Sequence, residues 1–146
     1  MIVLTRRERR EAGFTLIELM VVLFILGLLA ALVAPRLIGQ VGKAKQKSAQ
    51  AQLQLLATSL DLFYLDVGRY PATEEGLKLL RDKPDNLPTW SGPYIDKLIP
   101  NDPWGRPYNY KSPGEHGPYD LFSFGADGAP GGDGENQDIT NWQTSP

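Results

Sequence analysis

The residues from Phe14 to Ala34 constrain this chain more than any others. From Leu19 to Ala34 every residue is apolar or glycine, and the 21-residue run from Phe14 is interrupted only by Thr15 and Glu18. At about 1.5 Å of rise per residue the run makes roughly 31 Å of helix, enough to cross a bilayer core of about 30 Å. A carboxylate inside such a segment costs about 3 kcal/mol or more unless it finds a partner, so Glu18 is a candidate functional residue.

Arg6, Arg7, Arg9 and Arg10 precede the run and outweigh Glu8 and Glu11. By the positive-inside tendency the N-terminus stays in the cytoplasm and the C-terminal part is exported. A secretory signal peptide would need an apolar stretch of about 7–15 residues followed by a small-x-small cleavage site. This run is too long, no such site follows it, and Pro35 stands directly after Ala34. The small residue that can be cut is Gly13. Cleavage there removes residues 1–13 as a charged leader and keeps 14–35 as a membrane segment. Residues 36–146 are then enough for one exported domain with one modest core.

Pro35 lacks an N–H and crowds the carbonyl of Ala31, which predicts a kink or loosening in a helix that otherwise continues. Leu53, Leu56, Leu60, Phe63 and Val67 recur at spacings of 3 and 4, one apolar stripe of a helix running from about Arg36 to Leu65. Gly68 is placed to end it. Arg36, Lys43, Lys45 and Lys47 form a basic run beside the membrane segment, suited to anionic lipid head groups or to a solvated helix face. Beyond Gly68 the texture changes to Pro, Gly and aromatics. A short helix from about Glu74 to Asp82, N-capped by Thr73, is expected, followed by turns from Asn101 to Pro107. Strands are expected at Tyr108–Tyr110 and Asp120–Phe124, joined by a loop from Ser112 to Pro118, with a last strand at Ile139–Trp142. The fold class is therefore α+β, a small antiparallel sheet against a long helix.

The chain has no Cys, so no disulfide can staple an exported domain, and a good core or a metal must serve instead. From Ser112 onward there are six acids and no Lys or Arg. The twelve residues Asp127–Asp138 have acids at both ends but fail as an EF-hand loop: Ala129 and Gly131 stand where side-chain oxygens are wanted, and no helices flank the segment. What remains is a hard-cation composition, in which Asp127 and Asp138 can each supply oxygen to Ca²⁺ beside main-chain carbonyls. A solvated acidic loop satisfies the same residues. Basic patches with interleaved aromatics are absent, so nucleic acid is not an expected partner. His116, the sole His, lies in a Gly/Pro loop with no nucleophile motif beside it, so a membrane-anchored enzyme is the weaker reading.

Gly13-Phe14-Thr15-Leu16-Ile17-Glu18 resembles the prepilin peptidase signature of type IV pilins and type II secretion pseudopilins. The resemblance implies cleavage between Gly13 and Phe14 and N-methylation of Phe14. It also implies that Glu18 neutralises the N-terminal amine of Phe14 in a neighbouring subunit during assembly, in accord with the need of a buried carboxylate for a cation at its own depth. The motifs Arg69–Leu77, Asp102–Tyr108, Phe124–Gly128 and Asp138–Trp142 are together similar to the major, G-type pseudopilins. That likeness implies a pilin-like fold with a calcium loop, in which Asp127 and Asp138 bind the metal together with main-chain carbonyls such as those of Phe124 and Ala129; Asp133 and Glu135 are further candidates. It implies no enzymatic activity. The implied partners are further copies of the chain in a helical filament, minor pseudopilins, prepilin peptidase and the inner-membrane assembly platform. A pilin for adhesion or motility shares the first half of the chain, but would more often close its C-terminal loop with a disulfide.

Overall fold

The computed structural model describes residues 13–143, with residues 34–38 described by their backbone alone. The leader arginines and the Arg36 side chain lie outside the described residues. A single helix, α1, runs from Leu16 to Val67, 52 residues without a break at Pro35. Thr15 caps its start: the Thr15 hydroxyl accepts the Glu18 N–H at 3.3 Å, and the Thr15 carbonyl accepts that of Leu19 at 3.2 Å. At the other end Gly68 adopts φ 81° and donates its N–H to the Tyr64 carbonyl at 2.8 Å, a left-handed stop that a side chain would strain.

The chain divides into two compact units between Ile38 and Gly39. The first contains Leu16–Val33, a span with a mean hydropathy of 2.9 and none of its residues buried. A helix apolar on every side and buried on none is not a core element of its own unit among the described residues.

In the second unit α1 turns its stripe inward. Leu56, Leu60 and Phe63 are fully buried and Leu53 nearly so, with Val67 partly buried beside them. Withdrawing these four larger side chains from water is worth roughly 6–12 kcal/mol at 1.5–3 kcal/mol each, an upper bound because unfolded chains already bury some surface. Three short antiparallel strands, β1 (Asn109–Lys111), β2 (Asp120–Ser123) and β3 (Ile139–Thr140), form a sheet in the order β1-β2-β3. Tyr110 pairs with Leu121, and Ser123 with Ile139. Leu121 and Ile139 enter the core that the helix stripe lines.

The segment between Gly68 and Asn101 departs from expectation. Only one 3-10 turn, Leu77–Leu80, forms there. Thr73 does not cap it: its hydroxyl donates to the Ser112 carbonyl at 3.0 Å and accepts the Ser112 N–H at 2.9 Å, tying this turn to the loop after β1. Glu75 takes the local donors instead, accepting the Ala72 N–H at 2.7 Å and both guanidinium nitrogens of Arg69 at 2.6 and 2.9 Å. These tertiary bonds outbid the capping preference of an isolated peptide. The segment nonetheless supplies Leu77, Leu79, Leu80, Trp90 and Ile95 to the core, so irregular chain covers much of the helix stripe that a sheet was expected to cover. Trp90 satisfies its indole N–H on the Leu79 carbonyl at 2.7 Å. Two strands are also shorter than the sequence suggests, β2 ending at Ser123 and β3 at Thr140, while β1 keeps its length but is shifted one residue later.

Candidate functional site

Two places collect the residues singled out above. The first is the start of α1. Gly13, Phe14 and Glu18 are all exposed, and no hydrogen bond or ion pair reaches the Glu18 carboxylate among the described residues. Thr15 capping fixes the first turn, so Glu18 stands at its third helical residue with Phe14 just outside the helix. A peptidase would find Gly13–Phe14 in extended or irregular chain ahead of the helix, where both sides of the peptide bond are accessible.

The second place is the acidic loop from Asp127 to Asp138, which leaves β2 and returns to β3. Asp127 Oδ1 accepts the Ala129 N–H at 3.1 Å. Asp138 Oδ2 accepts the Gly131 N–H at 2.9 Å, while Asp138 Oδ1 is buried and has no hydrogen-bond partner. Among the described residues no three Asp, Glu, His or Cys side chains gather as metal ligands, so a cation here would depend on main-chain oxygens as well. A buried carboxylate oxygen without a donor is costly, and a hard cation is one group that would satisfy it; in that respect the loop fits calcium. Phe124 sits at the loop entrance, its ring edge-on to Phe122 at 5.0 Å between centroids. Asp133 precedes a single 3-10 turn, Gly134–Asn136, and its carbonyl accepts the Asn136 N–H at 3.1 Å.

Glu135 lies differently from the other acids. Its side chain crosses α1 at Gly42, where an added Cβ would overlap it, and Gln46 one turn later donates to the Gly134 carbonyl. Gly42 is buried in an otherwise exposed or half-buried stretch and stands seven residues before the fully buried Ala49. The loop thus rests on the small-residue end of the core stripe. A glycine within a helix costs about 1 kcal/mol against Ala; at Gly42 the missing side chain makes room for the loop, whereas nothing approaches Gly39 one turn earlier, so the glycine alone did not mark the contact.

Beside the loop entrance lies a network that the sequence reading named only as turn. Asp102, 5% exposed, accepts the Trp104 and Arg106 N–H groups on Oδ1 at 3.1 and 2.8 Å. Its Oδ2 accepts the buried Ser123 hydroxyl at 2.6 Å. The Arg106 guanidinium donates to the carbonyls of Gly125 at 2.7 Å and Ala126 at 2.8 Å.

On the sheet side, His116 is more than a surface residue. Its Nδ1 is 3.0 Å from Asp120 Oδ2 and its ring lies flat on Trp142, with centroids 4.1 Å apart. Burial pushes Asp120 toward protonation. The His116 side chain and the N–H groups of Glu115 and His116 more than offset this, and the carboxyl is held below its ordinary value. Burial likewise pushes the Tyr110 hydroxyl up to about 12, and it donates to the Pro71 carbonyl at 2.8 Å as a neutral group.

Comparison with known proteins bears on both places. Residues 36–142 match the family model described as type II secretion system, protein G, and residues 9–34 match the prokaryotic N-terminal methylation motif. The chain is 48% identical over 140 residues to the type II secretion system core protein G of Aeromonas hydrophila, covering 93% of this chain and 95% of that relative. Against the core protein G of Pseudomonas aeruginosa it is 45% identical over 139 residues, covering 93% and 98%. The structure is similar to the crystal structure of the major pseudopilin of enterohaemorrhagic Escherichia coli, with a TM-score of 0.59 and 39% identity over 74% of this chain and 95% of that one.

Proposed function

The chain belongs to the type II secretion system protein G family, and from that premise we propose how its parts serve a major pseudopilin, the structural subunit of the secretion pseudopilus. Prepilin peptidase cuts between Gly13 and Phe14 and methylates the new Phe14 amine, as the matched methylation motif implies. The subunit is membrane-anchored through Leu16–Val33, and we place its N-terminus in the cytoplasm and its folded unit in the periplasm, following the arginine bias ahead of the span. Subunits assemble through this helix into a periplasmic filament that drives folded proteins across the outer membrane, with minor pseudopilins and an inner-membrane platform as partners.

The observation that carries this reading is one helix of two characters: an apolar span with no residue buried among those described, continuous in sequence with a segment that lines the core of a folded unit. Van der Waals packing of the apolar halves would supply the assembly energy. Glu18, paired with Phe14 of a neighbour, would set register, as a single buried polar group does in a coiled coil. The protein G match over residues 36–142 favours secretion over the adhesion or motility pilin.

The acidic loop is the place for calcium. Asp138, through its orphaned Oδ1, and Asp127 would hold it together with loop carbonyls, and the ion would tie the two ends of the loop together.

Mass spectrometry of the mature protein tests the processing step. The expected mass lacks residues 1–13 and carries one methyl group on Phe14; an intact N-terminus would overturn it. Deletion of the gene should leave secreted enzymes in the periplasm, and normal secretion in that strain would refute the role in export.

A further inference from the structure

We propose that Arg106 is the positioning residue of the acidic loop: its guanidinium fork fixes the chain at the loop entrance so that Asp127 starts from one defined place. This rests on reading the loop as a calcium site. The turn from Asn101 to Pro107 is built to deliver that fork. Asp102 is almost fully buried and spends both oxygens on it, taking two N–H groups of the turn on one and Ser123, at the end of β2, on the other. Asp102 also donates its own N–H to the Arg106 carbonyl at 2.7 Å, and Asn101 and Pro107 bridge across the base of the turn. Arg106 is thereby anchored to the strand from which the loop departs.

Its two terminal nitrogens then take the Gly125 and Ala126 carbonyls, consecutive along the chain. A planar fork can hold two oxygens in a fixed relation, which a lysine ammonium on a flexible stem cannot. The Ala126 N–H is fixed as well, donating to the Glu135 carbonyl across the loop at 2.9 Å. Every polar main-chain atom of Ala126 is therefore spoken for immediately before Asp127. Gly128 completes the device. It has φ 68°, and a Cβ there would lie 2.8 Å from Arg106 Cζ, so the turn after Asp127 closes directly onto the guanidinium.

Groups that orient metal ligands without touching the metal typically change affinity about 10- to 100-fold when removed. The test uses the full chain in detergent micelles, with calcium affinity measured by calorimetric titration and melting followed in chelator and in calcium. For Arg106→Ala the expected result is calcium affinity weakened by about 10- to 100-fold, with melting in chelator little changed. Arg106→Lys, which keeps charge and bulk but not the fork, should fall closer to Arg106→Ala than to the parent. Gly128→Ala, which pushes on the guanidinium from the other side, should act alike. Parental calcium affinity in Arg106→Lys and Arg106→Ala overturns the proposal. So does a melting temperature lowered equally in chelator and in calcium, which would mark a merely structural residue. If the parent takes up no calcium, the metal reading fails, and amide exchange decides the positioning role. Faster exchange at Ala126 and Gly131 in Arg106→Ala would uphold it, and unchanged exchange would refute it.

Discussion

Between Leu16 and Val33 α1 presents apolar side chains in every direction and buries none, whereas between Ala49 and Phe63 it buries one stripe and leaves the rest polar or half-exposed. Both halves are helical, so propensity does not separate them. What separates them is where each finds cover: the second half within its own folded unit, the first nowhere among the described residues. Substitutions in the second half should therefore be read in the stability of the folded unit, and those in the first half in assembly.

The sharpest way to break this comparison is Glu18→Ala. Cleavage, methylation and membrane insertion should persist while filament formation is lost, read by cross-linking and by pseudopilus assays; normal filaments from this variant would sink the register argument. Next in size is Phe63→Ala, fully buried on the core stripe, which should destabilise the folded unit by about 3–5 kcal/mol in denaturant titration and leave membrane insertion unaffected. Removing calcium should come third. A ligand at about 100 times its Kd contributes about 2.7 kcal/mol, so chelation should lower the melting temperature by about 10 °C. An unchanged melting temperature would reject a structural calcium.

Asp120→Asn is expected to cost about 1–3 kcal/mol at pH 7, because the carboxylate accepts two N–H groups and faces His116. The folded protein holds this carboxyl below its ordinary value, so its contribution is present above about pH 4 and is lost as pH falls through the folded value. The difference between parent and variant should therefore shrink in acid; a gap that stays constant down to pH 2–3, roughly a unit below the usual carboxylate range, would be wrong for an ionised partner. The smallest effect should come from Leu26→Ala, exposed in the first half. It should move the stability of the folded unit by no more than about 0.5 kcal/mol, and a larger shift would mean that the apolar half is covered by its own chain after all.

The sequence reveals the elements that obey a period. The 3-and-4 spacing of Leu53, Leu56, Leu60 and Phe63 placed the buried stripe, Gly68 placed the helix end, and alternation placed the strands to within a residue or two. It misled where long-range bonds compete with local preference. Thr73 has the chemistry of a cap, but Ser112, 39 residues away, offers both a donor and an acceptor. The loop was legible as acidic and glycine-rich, yet its supports were not. Arg106, Asp102, Gly42 and Gln46 are distant in sequence from the residues they hold, and no spacing rule connects them. Thr15 was hidden for another reason: seen beside a membrane run it reads as an interruption, although Thr-x-x-Glu is a helix-start signal.

The uncovered apolar half has a thermodynamic consequence for the cell. Lipid tails are about as apolar as leucine, so a subunit that leaves the bilayer for the filament exchanges one hydrocarbon environment for another and gains little from the hydrophobic effect. What would hold such helices together is then the closeness of their side-chain packing rather than withdrawal from water. On the proposed pairing Glu18 would add one ion pair to that packing, and a subunit released from the filament would re-enter the bilayer without unfolding.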